Sequence, residues 1–319
     1  MSLRLPSELI LTVAESHDEG EHNIIYLIVE QGLDELIATL ARWIPQYPIF
    51  PENEGWTPLH QTIGYADEDG AANQRMVKAL VRAGSDVSAQ DQHGKTALHL
   101  ACDRDAVEII RFLLGHGANP SAMDHRLETP LYEACGKNIH MLFDADTHPS
   151  PRDMSLRVNP ESAVRMLLEA GADPCIRNKN GVAVLHKAAA HDVANCMRLF
   201  VEFGADITLR DAKGRTPFMI AALYGSDQCL QILLSAGSKV ADRDNDGCIA
   251  LHLGALAGRV SSARRLIRLG LYISAFDNGG DTPMRCAFEH GRGEAMRILE
   301  DARTGRVKRA MERMRSRRW

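Results

Sequence analysis

The chain has 319 residues, 45% of them hydrophobic and 25% charged, an ordinary globular balance that is sufficient to bury a core. Its formal charge of −5 is uneven: residues 301–319 hold eight basic side chains against Asp301 and Glu312, which leaves about −11 on residues 1–300. A body this acidic disfavours nucleic acid as a partner, because a phosphate-binding surface needs a basic stripe along the fold.

The first residues, MSLRLPSELILTVAESHDEG, interrupt their short apolar stretch with a proline and glutamates, unlike a secretory signal. No apolar run approaches the ~18 residues of a membrane span. These features predict a soluble intracellular protein that makes no membrane contact. It is expected in the cytoplasm, with the basic tail as a candidate nuclear address. The seven cysteines include no CxxC pair, so reduced thiols are expected rather than a disulfide framework or a zinc site.

In chain order, RLPSELILTVAESH (4–17) predicts a short helix with Leu5, Leu9, Ile10 and Val13 on its packing side. From about residue 21 a weaker helical pair, HNIIYLIVEQGLDELIATL, precedes the first clear repeat, GWTPLHQTIGYA at Gly55. GKTALHLACDRD follows at Gly94 and LETPLYEACGKN at Leu127. GVAVLHKAAAHD, GRTPFMIAALYG, GCIALHLGALAG and GDTPMRCAFEHG then start at Gly181, Gly214, Gly247 and Gly280, and the interval from each to the next is the same as that from Gly94 to Leu127. The two longer intervals, Gly55 to Gly94 and Leu127 to Gly181, are one such period plus a short and a long insertion respectively. A second glycine recurs at a fixed offset from the first, at Gly117, Gly204, Gly237 and Gly270, with helical apolar patterns such as VEIIRFLL in between.

Each unit can be read physically. The leading glycine suits a turn with positive φ, a threonine caps the first helix, and proline is tolerated at the first helical position. The alanines that follow let neighbouring inner helices approach, and the leucine pairs of the second helix fill the layer between repeats. No such pair buries its apolar face alone, so stacking is obligatory.

On these residues the sequence resembles the ankyrin family, whose repeats of about 33 residues carry a turn, a T-P-L-H-x-A signature and two helices. The resemblance covers about residues 21–303. It implies an all-α solenoid of about seven repeats with turn or hairpin tips, plus an N-terminal capping repeat, and residues 304–319 as a basic C-terminal capping helix. The segment 1–20 is expected to pack as a cap. It also resembles the first helix of the F-box that precedes ankyrin repeats in many fungal proteins, which would imply a ubiquitin-ligase adaptor as partner and substrate selection as the task.

The signature histidines His60, His99, His186 and His252 stand in separate repeats and cannot converge on one metal, so they are assigned to structure. The family binds through turn tips and the exposed ends of inner helices, which makes Trp56, Tyr65, Lys95, Arg104, Arg126, Lys137, Lys179, His191, Arg215 and Tyr224 the candidate partner-binding residues. Their pattern predicts a groove basic in its middle and acidic in its C-terminal third. An acidic or phosphorylated protein segment is the expected ligand, and a small molecule is the alternative. The same residues are also what any solvated helix end would carry.

The insertion at about 141–160 contains Asp144, Asp146, His148 and Asp153, but nothing draws these groups together. A partner-binding or lid-like loop is the expectation there, and no metal or other cofactor is expected. Nucleotide loops, nucleophile elbows and zinc signatures are absent from the sequence. The expected function is therefore that of a monomeric, non-catalytic scaffold or adaptor. The alternatives are a ligase substrate receptor and an unusual groove enzyme using His191, Tyr224, Lys137 and Arg104.

Overall fold

The computed structural model describes residues 55–64, 71–136, 160–270 and 272–316, with backbone alone at 71–72 and 306–316. Four sequence expectations lie outside those residues: the helix over 4–17, the capping repeat from 21, the insertion save Pro160, and the candidates Tyr65 and Lys137. The chain divides into two compact units, Met1–Asn119 and Pro120–Trp319.

In the first unit, α1 (Pro58–Gly64) pairs with α2 (Ala71–Arg82), and α3 (Ala97–Asp103) pairs with α4 (Val107–Gly115). The second unit repeats the pair five times. Its inner helices are α5 (Pro130–Ala134), α7 (Val184–His191), α9 (Pro217–Tyr224), α11 (Ala250–Leu256) and α13 (Pro283–Glu289). Its outer helices are α6 (Glu161–Glu169), α8 (Ala194–Glu202), α10 (Asp227–Ser235), α12 (Val260–Arg268) and α14 (Gly293–Ser316). Inner helices pack on inner helices and outer on outer, the two-layer stacking that the repeat period predicts. Among the described residues only isolated β-bridges form, Gln90 with Thr96 and Arg177 with Ala183.

Local chemistry explains the recurring start. Thr129, Thr216 and Thr282 stand in extended backbone and accept the N–H of Tyr132, Met219 and Arg285, and proline opens each of those helices. Four successive tips are each closed by an aspartate or asparagine that accepts two backbone N–H groups. Asp91 takes those of His93 and Lys95, Asp124 those of Arg126 and Glu128, Asn178 those of Asn180 and Val182, and Asp211 those of Lys213 and Arg215.

Consecutive tips in the second unit are then stitched by Lys179 N–H to Arg126 O, Ala212 N–H to Asn180 O, Asn245 N–H to Lys213 O and Asn278 N–H to Asp246 O. The turn needs a left-handed residue, supplied by Gly181, Gly214, Gly247 and Gly280. Leu127 fills that place with φ +61°, a conformation costly for a residue with Cβ. The last outer helix differs from the rest. Arg303 stands where earlier repeats have glycine, and α14 runs on for 24 residues where α12 has 9.

Candidate functional site

The signature histidines are structural ties between repeats. The backbone N–H of Thr57, Ala183 and Ile249 donates to Nδ1 of His60, His186 and His252, which places the ring proton on Nε2. That nitrogen donates forward to the carbonyl of the next tip, of Lys95 at 2.9 Å, Arg215 at 3.0 Å and Asp281 at 3.2 Å. Burial, the dominant cause, pushes all three pKa values down, that of His186 to about 4.

One junction uses a different polar set. Tyr132 replaces the histidine, and Asn178 replaces the aspartate at the tip that follows it. Asn178 Nδ2 donates to Glu128 Oε1 at 3.1 Å and to the Tyr132 hydroxyl at 3.3 Å. Lys187, only 1% exposed, donates to the Tyr132 carbonyl at 2.7 Å with its ammonium 4.0 Å from the Tyr132 ring centre. The carboxylates of Asp124, Glu128 and Glu133 come within 4.8 Å of one another here, all buried. Burial first, and the two neighbouring carboxylates after it, push the Glu128 pKa up, while the Asn178 hydrogen bond and Lys187 oppose the shift. Asp124 and Glu128 accept hydrogen bonds here, and the Lys187 charge partly offsets the carboxylates, so the junction is held by an internal polar network between repeats.

The sequence-predicted contact residues fall into several environments. In the first unit, the Trp56 ring lies over Gly64, where any Cβ would overlap it. Lys95 is half-buried, and its carbonyl receives His60. Arg104 is exposed and donates to the Gly64 carbonyl. In the second unit, Arg126 and Lys179 are exposed cations on adjacent tips. Arg215 turns inward, buried, its guanidinium 2.7 Å from Asp211 Oδ2, so it is not a surface cation.

His191, at the end of α7, has its Nε2 buried without a hydrogen-bond partner, beside Gly136. Burial, and then the Lys187 charge, lower its pKa to about 4, so it carries no positive charge near neutrality. Tyr224 is half-buried, and burial raises its pKa.

Besides Arg215, a second cation acts on Tyr224 that the sequence reading did not select, Arg259, and Arg292 repeats its placement one repeat later. Arg259 lies across Gly225 and Arg292 across Gly258, their Cδ atoms 3.0 and 2.9 Å from where a Cβ would stand, and both glycines have positive φ, so the close approach favours glycine. Arg259 Nε donates to the Leu223 carbonyl at 3.3 Å, and Arg292 Nε donates to the Leu256 carbonyl at 3.1 Å. Each guanidinium thus stands at the C-terminal end of the preceding inner helix, where carbonyls and the helix dipole favour positive charge. Both remain half-exposed, and both use Nε as the anchor, which leaves the terminal nitrogens to face an anion in a planar fork. Burial, and then the proximity of Arg292, depress the Arg259 pKa, so two like charges are held close together. The inner-helix ends in the C-terminal part of the unit thus carry two arginines in addition to the acidic tip residues Asp246 and Asp281. A usable signal was present: Gly258-Arg259 and Gly291-Arg292 recur one repeat apart, each arginine directly after the glycine that closes an inner helix.

Comparison with known proteins agrees with this architecture. Among curated proteins, the chain is 30% identical over 120 residues to human transient receptor potential cation channel subfamily A member 1, covering 34% of this chain and 11% of that protein. It is 30% identical over 157 residues to the E3 ubiquitin-protein ligase KEG of Arabidopsis thaliana, covering 43% of this chain and 10% of the ligase. The chain therefore spans about a tenth of each relative's length. Among solved structures, the ankyrin repeat domain of Bcl-3, described as a unique member of the IkappaB protein family, is similar with a TM-score of 0.57 and 28% identity. That match covers 77% of this chain and 99% of the Bcl-3 chain. No helix among the described residues is long and apolar enough to cross a membrane. The family model for ankyrin repeats, in three copies, matches residues 66–153 and 155–244, more than half of the sequence, and the chain belongs to the ankyrin-repeat family.

Proposed function

We propose that this protein is a non-catalytic intracellular adaptor that holds an acidic or phosphorylated protein segment along the inner-helix ends of its second unit. Ankyrin repeats are generally protein-interaction modules, and the reading narrows that general role to one face. The observation that carries it is the pair Arg259 and Arg292, anchored by Nε to successive helix ends, with Tyr224 next to Arg259. A cation held in place loses less freedom on binding than one on a mobile stem, and an aromatic neighbour adds contact area at low entropic cost. Arg126 and Lys179 are further exposed cations of the same unit, on the tips of earlier repeats. Trp56, Lys95 and Arg104 belong to the first unit and form a separate candidate surface.

The ligase-receptor alternative rests on residues 4–17, and the ligase relative shares only about a tenth of its length with this chain. The groove-enzyme alternative retains His191 as a neutral base, but its proposed companion Arg104 lies in the other unit.

An array of acidic and phosphorylated peptides, probed with the full chain and with Arg259→Glu/Arg292→Glu, tests the proposal. Acidic peptides should be retained over neutral ones, with about tenfold or greater loss in the variant. Equal retention by the variant, or no preference for acidic peptides, would refute the assignment.

A further inference from the structure

Three columns of side chains in the second unit reach forward from one repeat to the next. His186 and His252 donate to the carbonyls of Arg215 and Asp281. Arg210 and Arg243, just before their tip glycines Gly214 and Gly247, donate to the carbonyls of Arg243 and Phe276. Ala189, Ala222 and Ala255, at one position of successive inner helices, are fully buried where the following inner helix packs.

In the last repeat all three columns change together. Arg285 takes the place of histidine, Phe276 that of arginine and Phe288 that of alanine. Phe288 is 67% exposed and Phe276 60%, and Tyr272 of the same repeat is 75% exposed, the three largest values among the exposed large hydrophobics of the described residues. A repeat surface left to water needs polar residues, and this repeat presents aromatic rings at its most forward positions.

We infer that the end face of α13 is a self-association surface that joins two copies of this chain about a two-fold axis, with Phe288 at its centre. The face continues the surface on which every earlier inner helix of the unit receives its successor. Phe288 stands where the preceding repeats have alanine, which blocks a further repeat in the ordinary register.

The charges around Phe288 carry both signs. Arg285 Nε lies 2.7 Å from Asp281 Oδ1 and 3.1 Å from Glu289 Oε1, and all three side chains are at least partly exposed. A patch with an apolar centre flanked by one cation and two carboxylates is complementary to its own rotated image. Arg285 of each copy meets Glu289 of the other, while ring packs on ring. This pairing is an alternative to the monomer expected from the sequence. It is independent of the acidic-segment proposal, because none of Arg259, Arg292 or Tyr224 lies on this face.

Sedimentation equilibrium of the full chain from about 1 μM to about 100 μM tests the inference, because a dimer's apparent mass depends on protomer concentration. The wild type should pass from protomer to twice the protomer mass. Phe288→Ala, which restores the residue found in the three preceding repeats, should weaken association about tenfold or more while the circular-dichroism melt stays cooperative. Arg285→Glu and Glu289→Arg should each weaken association, and the double variant Arg285→Glu/Glu289→Arg should recover it, because the swapped charges again complement each other. A protomer mass throughout the concentration range overturns the inference. So does association that survives Phe288→Ala, or failure of the charge-swapped double variant to recover.

Discussion

The two ends of the inner helices use charge in opposite ways. At the start, where the tips close, charge is consumed internally: Asp211 binds two backbone N–H groups and the Arg215 guanidinium, and His186 is a neutral tie between repeats. At the far end, Arg259 and Arg292 are anchored through one nitrogen and keep the rest of the fork open. α7 shows the contrast within one helix, with His186 buried and doubly hydrogen-bonded near its start and His191 half-buried with an unpartnered Nε2 at its end. Helix starts therefore set stability, and the two anchored arginines make helix ends the face proposed for recognition.

Substitution at a start should have the largest effect on folding. His186→Leu removes both ring hydrogen bonds, leaving the Ala183 N–H without its acceptor and the Arg215 carbonyl with the Asp211 N–H alone, which should cost about 2 kcal/mol in urea unfolding. A cost within experimental error of zero would return this histidine to the list of functional candidates.

Acid should act through the same groups. A histidine whose folded pKa lies below its unfolded value near 6.5 favours the neutral native form. Its contribution is present above the unfolded value and is lost as the pH falls toward the folded one. With both folded values at about 4, His186 should cost about 2 kcal/mol of stability between roughly pH 7 and pH 5, and the half-exposed His191 somewhat less. Glu128, Asp192 and Asp244, whose pKa values are raised by burial, act in the opposite sense at the acidic end of that range. Thermal melts should fall steadily over this interval, and an unchanged midpoint would contradict the neutral-histidine assignment.

The irregular junction gives a smaller and more specific effect. Asn178→Asp would place a further carboxylate against Glu128 and remove the amide N–H that Glu128 and Tyr132 accept. A loss of about 1–2 kcal/mol is expected at neutral pH, shrinking as the medium is acidified and the pair shares a proton. The smallest effect should be a gain: Leu127→Gly relieves a left-handed leucine on an exposed tip and should stabilise the fold by about 1 kcal/mol.

The repeat architecture was readable because it rests on local rules repeated in register. A glycine for the turn, threonine as cap, proline at the first helical position and small residues on the inner helix all agree at one spacing. The histidine assignment was readable for the same reason, since groups in separate repeats cannot meet.

The contact surface was less legible. Whether a tip cation faces solvent depends on side-chain path, and Arg215 shares its tip with Asp211, one turn earlier in the chain and close enough to fold back onto it. The charge of His191 depends on burial beside Lys187, which composition does not reveal. Arg259 and Arg292 sit just past the glycine, in a segment that reads as a connecting turn. Their position becomes clear only when the flat glycine surface brings the stem against the helix end. Phe276 and Phe288 fit the repeat spacing, and their exposure emerges only once the stacking direction is known.

The central claim is that the anchored arginine pair recognises an acidic segment, and isothermal titration of the best-retained acidic peptide against wild type and Arg259→Ala/Arg292→Ala tests it most directly. The account predicts a Kd raised about tenfold or more, with a weaker dependence on salt because two charge contacts are gone. A Kd within about twofold of wild type, with the same salt dependence, would contradict it.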